Sequence, residues 1–92
     1  MNSLKTLDIA EYLNDKEVIA EYITQVMQDG DMDEFFEAIG NIAKAKGMSQ
    51  IAEDTGLGRE SLYKSFTSGA HPKFETVAKV LSSLGIKLQA TA

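Results

Sequence analysis

The sequence contains no cysteine, no tryptophan, and only one proline and one histidine in 92 residues. Without cysteine it can form neither disulfides nor thiolate metal sites, so we expect a fold held by packing alone in a reducing cytoplasm. The single histidine, His71, has no cysteine or second histidine with which to share a metal ion, so we expect no metal and no cofactor. Phosphate-binding glycine loops and nucleophile motifs are also missing, so we expect no enzyme and no catalytic residues.

Long hydrophobic runs are missing as well. No apolar stretch approaches the roughly 20 residues that span a bilayer. The first residues, MNSLKTLDIAEYL, lack the basic segment and apolar run of a signal peptide. We therefore expect a soluble cytoplasmic protein of one domain, with no membrane partner.

Basic residues are scarce in the first half of the chain. Residues 1–41 hold two lysines against ten carboxylates, a formal charge of −8, whereas residues 42–92 hold seven bases against four carboxylates, a charge of +3. DNA affinity depends on the charge that faces the phosphates rather than on the net charge of −5. The second half can therefore face DNA, and the first half a basic partner.

Residues 47–69, GMSQIAEDTGLGRESLYKSFTSG, have the pattern of a helix-turn-helix. Ala52 lies in a first helix of about two turns, where its small side chain lets the two helices cross closely. Gly56 is placed where the chain bends through a left-handed residue, and Leu57 follows it as an apolar plug. The second helix begins near Arg59, with an apolar inner face that contains Leu62 and Phe66.

The outer face of the second helix carries polar side chains that can reach base edges and phosphates in a major groove. Arg59 is the candidate for a bidentate contact with guanine, and Lys64 for a base or a phosphate. Glu60 either accepts from a cytosine amino group or pairs with Lys64. Tyr63 either contacts DNA or is a partly buried ring. The predicted DNA-binding residues are Ser49, Gln50, Arg59, Glu60, Ser61, Tyr63 and Lys64.

Polar residues outside this face extend the predicted interface. Ser49, Gln50 and Ser61 are placed to donate to phosphates, and Ser49 is also predicted to cap the first helix. Three lysines, at positions 44, 46 and 73, can flank the groove, although exposed lysines without such a role are common.

Capping residues and glycines predict the other helices. Asp8, Asn14 and Asp31, each followed three residues later by glutamate, predict helices near 8–13, 15–28 and 32–46. Apolar stripes on the second and third of these helices include Met27 and Phe35. Gly40 interrupts the third helix, which indicates the close approach of another helix. A final helix near 73–84 is predicted to bury Phe74, Val77, Ala78, Leu81 and Leu84.

The last residues, IKLQATA, alternate apolar and polar side chains with the period of a strand. A single strand needs a partner chain, and a frayed coil is the alternative.

The run from Ile42 to Ser65, together with Gly69, Pro72, Phe74, Thr76 and the ending VLSSLGIKL, resembles the antidote proteins of bacterial addiction modules. These are small HigA-like antitoxins with a helix-turn-helix of the lambda repressor and Cro type. The elements EYL, EYI and GDMDEF also fit, so the resemblance covers nearly the whole chain. The sequence departs from the pattern at Gly58, where a capping serine is usual, and at Ser65, which is often apolar.

The resemblance implies an all-α, lambda repressor-like domain of five to six helices. Residues 1–31 form an N-terminal helical extension, 32–85 the DNA-binding core, and 86–92 a tail or short strand. The family implies a type II antitoxin that neutralises a RelE/ParE-like toxin, binds operator DNA as a homodimer and represses its own operon. Two alternatives stay open, a free-standing repressor and a protein-interaction module that no longer binds DNA.

The partner surfaces follow from charge and apolar pattern. We expect the final helix and the tail to form much of the dimer interface, with Ile86 and Leu88 pairing across the two-fold axis. The acidic first half is the candidate toxin-binding face, anchored by Tyr12 and Tyr22. Alternatively, both tyrosines lie in the protein's own core, or the tail adds a strand to the toxin's sheet.

Overall fold

The computed structural model describes residues 9–12, 14–67 and 69–92. Over these ranges the chain is helical and contains no strand, in agreement with the predicted all-α class. A short 3-10 helix, Ile9–Tyr12, is followed by α1 (Lys16–Asp29), α2 (Met32–Lys46), α3 (Met48–Thr55), α4 (Arg59–Ser65) and α5 (Phe74–Ser83). None of the helices in these ranges combines the length and apolar character needed to cross a bilayer.

Two aspartates begin the long helices. The carboxylate of Asp31 accepts a hydrogen bond of 3.2 Å from the backbone N–H of Glu34, which confirms the predicted cap of α2. The prediction that Asn14 caps α1 is wrong. Asp15 takes that position and accepts from the N–H of Val18, because the extended backbone that a cap requires lies one residue later than the sequence pattern indicated. Asp8 lies outside the described residues.

The core lies where α1, α2, α3 and α5 meet. The stripes predicted for α1 and α2 are buried, except that Val18 and Phe36 are half-buried and Met27 is 47% exposed. The largest side chains that are fully enclosed come from all five helices, namely Ile23, Ile39, Ile42, Ile51, Leu62, Val80 and Leu81. The core therefore holds the two short helices, α3 and α4, against the three longer ones.

Gly40 marks the closest approach between α2 and the end of α4. A Cβ at this position would lie 2.7 Å from the Cβ of Phe66 and 3.2 Å from its carbonyl oxygen. Phe66, which ends α4, is buried. The close approach predicted from Gly40 is confirmed, and so is the placement of Phe66 on the inner face.

α5 buries Val77, Val80 and Leu81, but the prediction that Phe74 points inward is wrong. Phe74 is the first residue of α5 and is 72% exposed, because the chain enters the helix there from the loop at 69–73 and nothing among the described residues covers the ring. Val80, which the sequence pattern did not single out, is completely buried.

A Schellman motif ends α5 and directs the tail. The N–H of Ile86 donates to the carbonyl of Leu81 and that of Gly85 to Ser82, both at 2.9 Å, with Gly85 at φ +81°. This turn buries Ile86 in the chain's own core. The expectation that Ile86 pairs across a dimer axis is therefore wrong, whereas Leu88 stays exposed. Residues 86–92 form neither helix nor strand in the single chain.

Candidate nucleic-acid interface

α3 and α4 are joined by a turn of three residues that is fixed by its backbone and by one hydroxyl group. Gly56, at φ +76°, donates to the carbonyl of Ala52 at 2.9 Å, as predicted for a left-handed turn glycine. The hydroxyl of Thr55 donates to the carbonyl of Ile51 at 2.8 Å and accepts from the N–H of Leu57 at 3.2 Å. Sequence reasoning missed this role of Thr55, although a threonine before a helix-ending glycine is a signal for it.

α4 has one apolar and one polar face, in the predicted register. Leu62 is 1% exposed and sits in the core with Phe66. Arg59, Glu60, Ser61 and Lys64 are exposed on the other side, and Tyr63 is 38% exposed. The structure therefore brings the five polar candidates of this helix onto one open surface.

Two cations lie close to the ring of Tyr63 on this surface. The Nζ of Lys44, from α2, and the Cζ of Arg59 are each 5.8 Å from the centre of its ring. Both distances are within the range of cation–π attraction. Tyr63 therefore links a lysine of α2 to the polar face of α4. The sequence alone had left two alternatives for this ring, contact with DNA or partial burial.

The start of α3 differs from the predicted one. Met48 is the first residue of α3, and Gly47, at φ +118°, caps it without a side-chain hydrogen bond. The prediction that Ser49 is the N-cap is therefore wrong. Gly47 is both the last cap of α2 and the first cap of α3. Its positive φ is accessible to glycine, whereas serine would be strained in this conformation. Ser49 lies exposed in the first turn instead.

Gln50 is exposed, but its amide group already has a partner. Its Nε2 donates to the Oδ1 of Asp54, one turn later in α3, at 2.9 Å. A phosphate would compete with this bond and would also approach a carboxylate. Gln50 is consequently a weaker candidate for a phosphate contact than its sequence position indicated.

The two tyrosines predicted as anchors for a toxin belong to the acidic half of the chain. Tyr22 is buried, so it belongs to the core, whereas Tyr12 is 37% exposed. Burial raises the pKa of the Tyr22 phenol, and the nearby carboxylates of Glu34 and Glu37 raise it further. Of the two predicted anchors, only Tyr12 is open to a partner. Within the described residues, no group of three or more His, Cys, Asp or Glu side chains is arranged to hold a metal ion.

Comparison with known proteins gave two matches over nearly the whole chain. A family model described as "Probable addiction module antidote protein" matches residues 3–92. A protein of Haemophilus influenzae, described only as uncharacterized, is 41% identical over 86 residues, which are 94% of this chain and 89% of that protein. No solved structure is significantly similar to the chain. The similarity thus includes all five helices and is not limited to α3 and α4.

Proposed function

The chain belongs to the addiction module antidote family, and from that membership we propose that it is a DNA-binding antitoxin that represses its own operon. Membership indicates a regulatory protein with a toxin partner rather than an enzyme. The DNA-binding role, the toxin class and the autoregulation are our inferences. They place the protein in the cytoplasm, where the operator lies.

The polar face of α4 is the observation that carries the DNA-binding proposal. Leu62 and Phe66 are buried on the inner side of α4, and five polar candidate residues are exposed on its outer side. Such a helix can lie in a major groove without losing its packing. Arg59, next to the start of the helix, is assigned the base contact. Lys44 and Lys64 are assigned to phosphates on either side.

The division of charge supports the same orientation. α4 and the lysine of α2 beside Tyr63 belong to the part of the chain with formal charge +3, and the rest carries −8. Phosphates attract the first part and repel the second, so the α4 face is the one that DNA approaches. Since one such unit contacts only a few base pairs, we infer that a two-fold dimer binds two half-sites about one helical turn apart.

The acidic surface of α1 and α2 is our candidate for the toxin. We infer a RelE/ParE-like toxin, a class that acts on nucleic acid or its enzymes and tends to be basic. Acidic residues on the antidote increase the rate of association with such a toxin and orient the two proteins as they meet. Exposed Tyr12 supplies apolar contact area beside these acids. Because DNA and toxin then use different faces, one antidote can hold both.

The DNA proposal is tested by titrating the DNA upstream of the gene with the wild-type protein and three variants, Arg59→Ala, Lys64→Ala and Lys79→Ala, at fixed salt. Loss of a bidentate base contact should cost about 1–3 kcal/mol on the operator and less on random duplex. Lys79, an exposed lysine of α5, is the matched control and should bind as wild type. Normal operator binding by both Arg59→Ala and Lys64→Ala would show that α4 does not lie in the major groove.

The two roles are separated by co-expression with the product of the neighbouring gene. Arg59→Ala should still rescue growth while repression of an operon reporter is lost. Rescue without any DNA binding by the wild-type protein would favour an interaction module. Operator binding with no toxin-like neighbour and no rescue would favour a free-standing repressor.

A further inference from the structure

Arg59 and Tyr63 form a pair on the outer face of α4. They are four residues apart, so they are neighbours on the same side of the helix. Helical side chains lean toward the N-terminus, which brings the Tyr63 ring back toward the first turn, where Arg59 lies. The Cζ of Arg59 is 5.8 Å from the centre of that ring. The guanidinium and the ring therefore present one combined surface to a ligand.

Both members of the pair keep open surface for a base pair. Within the described part of the chain, Arg59 contacts the Tyr63 ring and forms no ion pair with a carboxylate. Its N–H donors are thus free for acceptors on a base edge. Tyr63 is 38% exposed, although the Nζ of Lys44 also approaches its ring. The pair therefore combines free donors with an accessible apolar surface.

The major groove of DNA offers each member a different partner. Guanine presents two acceptors, O6 and N7, which match the fork of a guanidinium. Thymine presents its C5-methyl group, the apolar group that an aromatic ring can contact in this groove. Thymine also presents the O4 acceptor, whereas cytosine presents an amino donor that the cations of Arg59 and Lys44 would repel. The ring therefore favours thymine over cytosine.

The spacing of the pair ties these two bases together. Successive bases of one strand are about 3.4 Å apart along the duplex. The Cζ of Arg59 and the centre of the Tyr63 ring are 5.8 Å apart, which is less than two such steps. Two side chains this close reach neighbouring base pairs rather than bases several steps apart.

We propose that Arg59 and Tyr63 read one dinucleotide step together, in which Arg59 binds a guanine and the Tyr63 ring contacts the C5-methyl group of an adjacent thymine. The inference rests on the proposed function, since it requires α4 to lie in the major groove. Contact with the ring restrains the guanidinium before DNA binds, so less side-chain entropy is lost on binding. Each half-site of the operator therefore contains a guanine beside a thymine.

Replacing thymine by deoxyuridine tests the assignment, because the replacement removes the C5-methyl group and keeps the base pair. Two modified versions of the upstream duplex are compared with the unmodified one by fluorescence anisotropy at fixed salt. The first carries deoxyuridine at every thymine that adjoins a guanine, and the second carries it at every other thymine. We expect the first duplex to bind about fourfold more weakly for each methyl group that the protein buries. The second should bind as the unmodified duplex does.

Two matched protein variants identify the ring that senses the methyl group. Tyr63→Ala should bind the first modified duplex and the unmodified duplex equally. Tyr12→Ala should keep the difference, because Tyr12 is exposed to almost the same extent, 37%, and lies outside α3 and α4. Each variant is compared with itself on two duplexes, so a change in its folded fraction does not alter the ratio of the two affinities.

Equal binding of all three duplexes by the wild-type protein would overturn the assignment. A methyl effect that survives Tyr63→Ala, or that disappears in Tyr12→Ala as well, would also overturn it. An effect confined to the second duplex would separate the thymine from the guanine and contradict the shared step. A wild-type protein that binds none of these duplexes more tightly than random DNA would overturn the proposed function, and the dinucleotide assignment with it.

Discussion

The two long N-terminal helices and the α3–α4 unit are stabilised in different ways. α1 and α2 have 14 and 15 residues, and each begins with an aspartate that accepts a backbone hydrogen bond. α3 and α4 have 8 and 7 residues, and each begins at a glycine without a side-chain cap. Helices this short are marginal by themselves, so α3 and α4 depend on the core. Local signals thus specify the supporting helices, and packing specifies the helices that we assign to DNA.

This difference has a functional consequence. A helix stabilised through its buried side alone leaves its whole outer side free for recognition. Leu62 and Phe66 hold α4, so Arg59, Ser61 and Lys64 have no required structural role and can be chosen for contact with DNA. The cost is that a disturbance of the packing beneath α4 affects the binding face directly.

The largest effect that we expect comes from Gly40→Ala. Alanine is normally favoured over glycine in a helix by roughly 1 kcal/mol. Here the new Cβ would lie 2.7 Å from the Cβ of Phe66, and the carbonyl of Phe66 also blocks it, so we expect a loss of about 1–3 kcal/mol in the free energy of unfolding. Urea denaturation measures it, with exposed Asn41→Ala as the control in α2. A more stable Gly40→Ala would contradict the dependence of α4 on this packing.

The capping difference predicts an effect of intermediate size. Asp31→Ala removes the acceptor for the Glu34 N–H and should lower the free energy of unfolding by about 1 kcal/mol. Ser49→Ala should leave stability nearly unchanged, because Gly47 rather than Ser49 begins α3. Thermal melts of both variants compare them. A loss of similar size at position 49 would show that the serine caps α3 after all.

These residues also show how far the sequence predicts the structure. Asp31, Gly56 and Gly40 could be assigned, because a cap, a left-handed turn and a close helix contact each require a particular residue type. Asp15 and Ser49 could not be placed, because Asn14, Asp15, Gly47 and Ser49 are all acceptable caps and local sequence does not choose among neighbours. The predictions for Phe74 and Ile86 were wrong because burial at the end of a helix depends on which parts of the tertiary fold pack there.

Within the candidate site, the same limit applies. The outward register of α4 followed from the spacing of Leu62 and Phe66. The contact of Tyr63 with Lys44 did not, since the two residues are far apart in the sequence and meet only because α2 packs beside α4.

A smaller effect is expected from Tyr63. If the ring orients Lys44 and Arg59, Tyr63→Leu should weaken operator binding by about 0.5–1 kcal/mol, the strength of a cation–π contact at an exposed site. Tyr63→Phe keeps the ring and should bind almost as the wild type does. Equal losses for Leu and Phe would instead indicate that the hydroxyl group itself contacts DNA. Fluorescence anisotropy on one duplex at fixed salt distinguishes these results.

The smallest effect concerns the missing cap of α4. Gly58 has an extended backbone, with φ −69° and ψ 143°, and a Cβ there would meet Ser61 at 3.6 Å, an ordinary contact. Gly58→Ser should therefore add the hydrogen bond that α4 lacks and raise the free energy of unfolding by roughly a few tenths of a kcal/mol. Denaturant midpoints can resolve it. A destabilised variant would mean that α4 begins differently in solution.

The central claim is that the outer face of α4 meets DNA while α1 does not. Titrating the isotopically labelled protein with a duplex of the upstream DNA, and following backbone amide shifts by NMR, tests it residue by residue. We predict the largest shifts at residues 59–64 and at the start of α3, and small ones along α1. Shifts concentrated on α1 and the tail, with α4 unchanged, would contradict the account.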